Sequence, residues 1–348
     1  MKYTSKYRRG IILDYVIGWT LAFVFLSIVR GLGTEELGKL NFDFQSSLLI
    51  AITLGPLMGL ISGYVQMIME ERFYRRVSIQ RFLLIRLVYI FIFLVILVLL
   101  AYGIYNLYFQ TSIDLVTFAV DAGSGAIYFY VITVDFFLSV LRQVNLMLGT
   151  GTLGKLLLGR YYEPKVEERI FMFLDLQSAT SLAEKLGHIT YSKLLQDCFN
   201  DLGVVVGDEA EIYQYVGDEA VLTWNYKNGI RQQNCINAFF RFTQQLRDNK
   251  AHYLAKYGCE PFFKAGIHLG RITVTEVGAL KKEIAFHGDT INTASRIQSQ
   301  CNALGETLLI SEALKTKLSG ESYTYTSLGA IPLKGKKKAV PVYAVKPA

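Results

Sequence analysis

Four apolar stretches fill most of the first 148 residues, and they restrict the fold of this chain more than any other feature. They run from Ile11 to Val29, Ser47 to Met69, Leu83 to Leu107, and about Ala126 to Met147. A helix needs about 20 apolar residues to cross the hydrocarbon of a bilayer, where every backbone polar group must be satisfied internally. The first three stretches qualify directly. Upstream of the fourth, Asp121 to Gly125 interrupts the pattern, so Ile113–Val120 is read as a reentrant or interfacial piece. The N-terminal part is therefore expected to be an all-α, four-helix transmembrane domain spanning 1–148.

The loops set an orientation. Lys2, Lys6, Arg8 and Arg9 precede the first span, and Arg72, Arg75, Arg76, Arg81 and Arg86 lie between the second and third. The other loops carry only Arg30 and Lys39. The positive-inside rule then puts both termini in the cytoplasm, as an even number of spans requires, with the chain multi-pass in the cell (inner) membrane. The basic N-terminus has no small-residue cleavage site after its apolar stretch, so it reads as a retained helix. Asp14 and Asp135 fall in or near apolar segments, where ionisable groups are costly. One reading is a sensing or ion-coupled pocket. The plainer one has Asp14 snorkelling to the interface and Asp135 hydrogen-bonded between packed helices. Four short-looped helices fit an anchor, a dimerisation module or a receptor for a small ligand better than a transporter.

Hydrophobic residues make up 52% of the chain and charged ones 19%, with a net charge of +7. The basic residues are scattered or flank apolar segments, which favours a lipid bilayer surface as partner over a nucleic acid polymer. Cys198, Cys235, Cys259 and Cys301 all lie in the second half, with no Cys-x-x-Cys pair and no His at zinc spacing. They read as reduced, packed thiols. Between the halves, 149–168 reads GTGTLGKLLLGRYYEPKVEE. It is too short for a domain and is taken as a coupling linker or spacer.

In the second half, Ile170-Phe171-Met172-Phe173-Leu174 is too continuously apolar for an amphipathic helix and reads as a buried strand. It delivers Asp175 to a turn. Asp218, in Val216-Gly217-Asp218-Glu219, sits between two strand-like runs at a hairpin tip. Side by side, two such carboxylates near a phosphate suit two divalent cations; singly, each could simply cap a helix or make a turn. Ser178 to Glu184 opens a helix reaching about Val206, with hydroxyls in its first turn and free amides that attract anions. A second helical pattern runs from about Gly229 to Lys256, and Phe262–Leu269 and Arg271–Val277 look like paired strands around Gly270. From Thr290 onward a helix carries Asn292 and Arg296 on one face. An amide beside a guanidinium can steady a ribose oxygen and a phosphate under attack, although on a lone helix it is more often a surface contact. Lys334, Lys336, Lys337 and Lys338 form a basic turn near the end.

Taken in order, FLDLQSAT, YVGDEAVLTW and HGDTINTASR resemble the catalytic domain of the class III adenylate/guanylate cyclases, over about residues 165–345. The resemblance implies that 169–348 is a ferredoxin-like α/β cyclase domain, working as a homodimer with active sites between chains. It implies that Asp175 and Asp218 hold two Mg²⁺ or Mn²⁺ ions. Thr180 matches the corner that contacts the triphosphate, and Lys334 the triphosphate lysine, with Lys336 as the alternative. Asn292 and Arg296 match the transition-state pair, acting on an NTP held by the other chain's aspartates. The implied reaction is attack of the ribose 3′-hydroxyl on the α-phosphate, expelling pyrophosphate, with ATP as the substrate the family suggests first.

Two positions depart from the pattern. Adenylate cyclases of this family commonly carry a Lys four residues before the second metal Asp, and an Asp or Thr seven before the Asn, to read adenine. Here those positions are Gln214 and Ala285. Gln both donates and accepts, so it can address a purine edge; Ala has no polar atom to offer. The usual guanine-reading pair is absent too. The alternatives are a cyclase of another NTP, guanylate or pyrimidine, or a catalytically silent nucleotide-binding signalling module. Diguanylate cyclases are a further comparison, but Val216-Gly217-Asp218-Glu219-Ala220 lacks the first Gly and the Phe of their signature.

Overall fold

The computed structural model describes residues 5–31, 44–72, 79–109, 113–121, 123–149 and 151–348; Lys2, Lys39, Arg75 and Arg76, used above for orientation, lie outside them. The chain divides into two compact units, Met1–Val144 and Asn145–Ala348.

The first unit is built from helices α1 (Ser5–Gly31), α2 (Phe44–Arg72), α3 (Ile79–Phe109), the short α4 (Leu115–Ala119) and α5 (Ser124–Leu148). All but α4 are long and apolar enough to cross a membrane. The piece expected to be reentrant or interfacial is α4, a five-residue helix that Asp114 caps by accepting from the Thr117 amide. Helices α1 and α2 approach closely at Gly55, Gly59 and Gly63, where a Cβ on Gly59 would come within 2.5 Å of the Val16 Cα. Without a hydrophobic drive between helices in lipid, small residues at this four-residue spacing let backbones gain van der Waals contact. Asp135 is 2% exposed and is hydrogen-bonded between helices. It accepts from Arg86 at 2.7 Å, Tyr89 at 3.3 Å and Ser62 at 3.4 Å. Arg142 donates twice to buried Glu70 and once to the Tyr7 hydroxyl.

The second unit begins with α6 (Thr152–Leu157), β1 (Lys165–Leu176), α7 (Ala179–Leu202) and a 3₁₀ turn over Gly203–Asp208. The hairpin β2 (Glu211–Val216) and β3 (Glu219–Asn225) follows, then α8 (Tyr226–Ile230), α9 (Asn234–Asp248) and α10 (Lys250–Tyr257). The rest is β4 (Phe263–Val277), β5 (Glu283–His287), α11 (Asp289–Ser299), α12 (Cys301–Leu304), β6 (Leu308–Ser311), α13 (Glu312–Lys315), β7 (Tyr323–Ile331) and β8 (Val340–Pro347). The strands form one mixed sheet in the order β2-β3-β1-β4-β6-β8-β7, with β5 pairing β4.

Strand β1 lies between β3 and β4, antiparallel to both. Its alternate residues enter different cores: Ile170, Met172 and Leu174 join the one that α7, α9 and α10 cover, while Phe171 and Phe173 join one with Ala294, Val274 and Tyr161. Burial on both faces is why the run is unbroken by polar residues. At such positions, truncating a Leu or Met to Ala costs about 2–5 kcal/mol.

Two expectations need correction. Phe262–Leu269 and Arg271–Val277 are not a hairpin around Gly270 but one continuous strand, β4. Gly270 serves close approach instead of a turn: a Cβ there would lie 2.6 Å from the Thr290 hydroxyl of α11. The helix expected over Gly229–Lys256 is broken into pieces, because Gln232 and Gln233 adopt left-handed backbone conformations (φ 50° and 58°). That unfavourable conformation is supported by side-chain bonds, since Gln233 donates to the Ser319 carbonyl and accepts from Tyr325.

Candidate active site

Strand β1 ends by placing Asp175 directly opposite Glu219 on β3 and Lys264 on β4. The β2–β3 turn is tight because Gly217 takes a left-handed conformation (φ 61°), and Asp218 follows at its tip. Sheet pairing thus brings Asp175 and Asp218 together. Burial raises the Asp175 carboxyl above the ordinary carboxylate range, and the Asp218 charge raises it further. The Gln298 side chain of α11 and Lys264 work in the opposite direction. Glu219 is pushed up to about 7, first by burial and then by the two aspartates. Tyr191 of α7 is also raised, by burial and then by the same pair. Burial is the first cause of each shift, and the neighbouring carboxylates add to it.

Oxygen donors carrying surplus negative charge fit a hard divalent ion such as Mg²⁺ or Mn²⁺. Among the described residues no three His, Cys, Asp or Glu side chains are arranged to hold a metal by themselves. A cation here would draw its other oxygens from backbone, water or phosphate, as Mg²⁺ sites commonly do.

Beside the pair, α7 is preceded at its N-cap by Ser178, whose backbone is left-handed (φ 59°) and whose side chain makes no capping bond. The first-turn amides are therefore left without the usual side-chain cap, next to exposed Thr180. The helix is interrupted at Gly187 and gives way after Leu202 to the 3₁₀ turn.

Helix α11 carries the other expected residues. Asn292 is exposed and Arg296 half-buried. The C-terminal basic turn comes to this helix: a Cβ on Gly335 would lie 3.3 Å from the Arg296 guanidinium, and Lys336 pairs with the Asp289 carboxylate. That ion pair holds the Asp289 carboxyl below the usual range. Lys334 is exposed beside it. Gln298, whose side chain works to lower the Asp175 carboxyl, is two positions from Arg296, roughly 200° around the helix. The acidic pair and the Arg296–lysine cluster thus belong to different sides of α11.

The two expected base-reading positions lie on β2 and β5. Gln214 is exposed, just after a register shift at Tyr213, and Ala285 is half-buried opposite Thr275. Their neighbours Tyr213 and Phe286 touch edge to face, centroids 4.8 Å apart.

Lys264 and Gln298 were invisible to the sequence reading. Each is 9% exposed, and Lys264 also contacts Asn302. A lysine near the start of one strand, opposite an aspartate near the end of another, is a signal only once the register is known.

Fold and site together define a nucleotidyl cyclase domain. Residues 161–347 match the family model described as the adenylate and guanylate cyclase catalytic domain, and the chain belongs to that family. Adenylate cyclase 2 of Rhizobium meliloti is 33% identical over 205 residues, 58% of this chain and 56% of the relative. Adenylate cyclase of Anabaena cylindrica is 26% identical over 181 residues, covering 50% and 36% respectively. Receptor-type guanylate cyclase gcy-6 of Caenorhabditis elegans is also 26% identical, over 196 residues, 55% of this chain and 18% of that one. The chain therefore spans little more than half the length of the first relative, and less of the others. A solved bacterial light-regulated adenylyl cyclase shares the fold, with a TM-score of 0.54 and 21% identity over 64% of each chain.

Proposed function

We propose that this chain is a membrane-bound adenylate cyclase that converts ATP to cyclic AMP and pyrophosphate at a homodimer interface. The observation that carries the reading is the juxtaposition of Asp175 and Asp218, with Arg296 and the lysine turn on another side of α11. One chain then offers an acidic half-site and a basic half-site turned apart, and a second copy would complete each. Asp175 and Asp218 would hold two divalent cations, Mg²⁺ or Mn²⁺, which when bound would supply Lewis acidity for the reaction.

The protein's own groups bind and orient. Asp175 and Asp218 would hold the cations that the triphosphate binds, with Thr180 and the open amides of α7 donating to its oxygens. From the partner copy, Arg296 faces the charge growing on the α-phosphate and Asn292 orients the ribose. Lys334 stabilises the leaving pyrophosphate. The new bond joins the 3′-oxygen to the α-phosphorus, the bond from that phosphorus to the bridging oxygen breaks, and the hydroxyl proton passes to solvent.

ATP is preferred as substrate because the 33% identical relative is an adenylate cyclase by name. Gln214 can still hydrogen-bond a purine edge, whereas Ala285 contributes shape alone. The four apolar helices support a bilayer anchor, and the basic residues flanking α1, α2 and α3 support a cytoplasmic catalytic domain in the inner membrane.

The test is incubation of the purified full chain with each of the four NTPs and Mn²⁺, products resolved by mass, with Asp175→Ala as control. Cyclic AMP from the wild type alone supports the reading. A cyclic product from GTP or a pyrimidine nucleotide in its place would move the substrate, cyclic di-GMP would move the class, and no product would leave a silent nucleotide-binding module.

A further inference from the structure

Arg169 is a buried side chain with several partners that the catalytic reading leaves unused. It is 2% exposed, on β1, in the half of the strand away from Asp175. Its Nε donates to Glu167 at 3.0 Å, Nη2 to Asn225 at 3.1 Å and Nη1 to Thr223 at 3.3 Å. Both terminal nitrogens reach Glu211 on β2, at 3.4 and 3.5 Å, and the guanidinium carbon lies 4.9 Å from the centre of the Phe286 ring on β5.

Glu211 begins the strand that carries Gln214, and Phe286 is next to Ala285. Tyr213 and Phe286 touch each other, and Phe171 packs on Phe286 from β1. One guanidinium therefore fastens both strands that bear the base-reading positions to the centre of the sheet. The planar fork and the ring stacking need Arg; Lys supplies the charge without either.

The same cluster reaches the linker. The Tyr161 hydroxyl donates to Glu167 at 2.7 Å, and Lys155 of α6 lies 3.3 Å from the Glu211 oxygen that faces Arg169. The Tyr161 carbonyl also accepts from the Glu276 amide of β4. Burial would raise the Glu167 carboxyl, but its bonds from Tyr161 and Arg169 bring it below the ordinary range. The residues just before β1 are thus tied through one ionised carboxylate to the guanidinium that sets β2 against β5.

We propose that Arg169 is a positioning residue that sets the spacing of β2 and β5, and hence nucleotide affinity and base preference, under the hold of Tyr161 and Lys155. This rests on the cyclase reading and on Gln214 and Ala285 lining the base pocket. The test compares full-length wild type with Arg169→Lys and Phe286→Leu. It measures ATP and GTP kinetics, and separately the binding of the fluorescent probes mant-ATP and mant-GTP. In folded variants KM for ATP should rise about tenfold, equivalent to about 1.4 kcal/mol. The ATP-to-GTP preference should shift more than about threefold, with kcat within about threefold. Folded variants with unchanged KM and preference, or with loss confined to kcat, would overturn the proposal. Should Arg169→Lys fail to fold, Phe286→Leu and the half-exposed Glu211→Gln carry the same expectation. A wild type that binds mant-ATP without making cyclic nucleotide would defeat the cyclase reading, while the binding arm would still decide the role of Arg169.

Discussion

Gly266 of β4 lies directly beneath Gln298 of α11: a Cβ on the glycine would come within 2.1 Å of the Gln298 amide nitrogen and 2.8 Å of the Ala294 carbonyl oxygen. The helix that carries Asn292, Arg296 and Gln298 therefore rests on bare backbone. Its height above the sheet decides whether Gln298 reaches Asp175. Gly266→Ala must lift α11 or deform β4, at a cost of about 1–3 kcal/mol. A melting temperature lowered by several degrees with at least tenfold less activity is expected; an unchanged melting temperature would show that the helix is not held there.

The like-charged pair gives a second expectation. Asp175 and Asp218 repel one another, so removing one charge should relieve the cation-free fold while removing the cation site. In thermal shift with Mn²⁺ titrated in the presence of a non-hydrolysable ATP analogue, wild type should gain stability with concentration. Asp175→Asn should start at or above the wild-type melting temperature and gain much less. Equal gains in both would place the cations elsewhere.

His268 on β4 gives a pH signature. Its Nδ1 lies 2.7 Å from the Ser311 hydroxyl. Burial holds the imidazole down to about 4 from its ordinary 6.5, helped by the Lys336 charge and opposed by Asp289. The folded state binds its proton less readily than the unfolded chain, so this contribution is complete above pH 6.5 and is lost as pH falls towards 4. It amounts to at most about 3.5 kcal/mol. Denaturant midpoints of wild type should fall over that window, and those of His268→Gln should fall less. Parallel curves would contradict it.

In the first unit, Arg142 and Glu70 are a buried pair, 6% and 1% exposed at their side chains. Removing one partner strands the other charge, at about 3–5 kcal/mol, while replacing both with apolar residues is often neutral. Arg142→Leu should lower the melting temperature in detergent markedly, and Glu70→Leu with Arg142→Leu should recover most of the loss. Failure of the double variant to recover would mean that the Tyr7 bond, not the ion pair, carries the stability.

Legibility in the sequence followed how local each feature is. The run Ile170–Leu174 was readable because burial on both faces leaves no polar gap, and the Asp218 tip because Gly217 marks its turn. Gly270 misled because a glycine that admits a neighbouring helix looks like one that admits a turn. The left-handed backbone of Gln232 and Gln233 gave no warning, since the bonds that support it join Gln233 to Ser319 and Tyr325, some ninety residues away. Arg169, Lys264 and Gln298 acquire meaning only from strand register and helix packing. Asn292 and Arg296 were legible as one face of a helix, but that this face is turned from the Gln298 contact required the structure.

The composite site is tested most directly by complementation between chains. Full-length Asp175→Asn and Asn292→Ala would be co-expressed with separate tags, heterodimers captured through both tags, and cyclic AMP formation measured against each variant alone. Each heterodimer should contain one intact site of two, so random pairing should restore about a quarter of wild-type activity before capture and about half after it. Verified heterodimers no more active than either variant alone would contradict a site shared between Asp175 of one chain and Asn292 of the other.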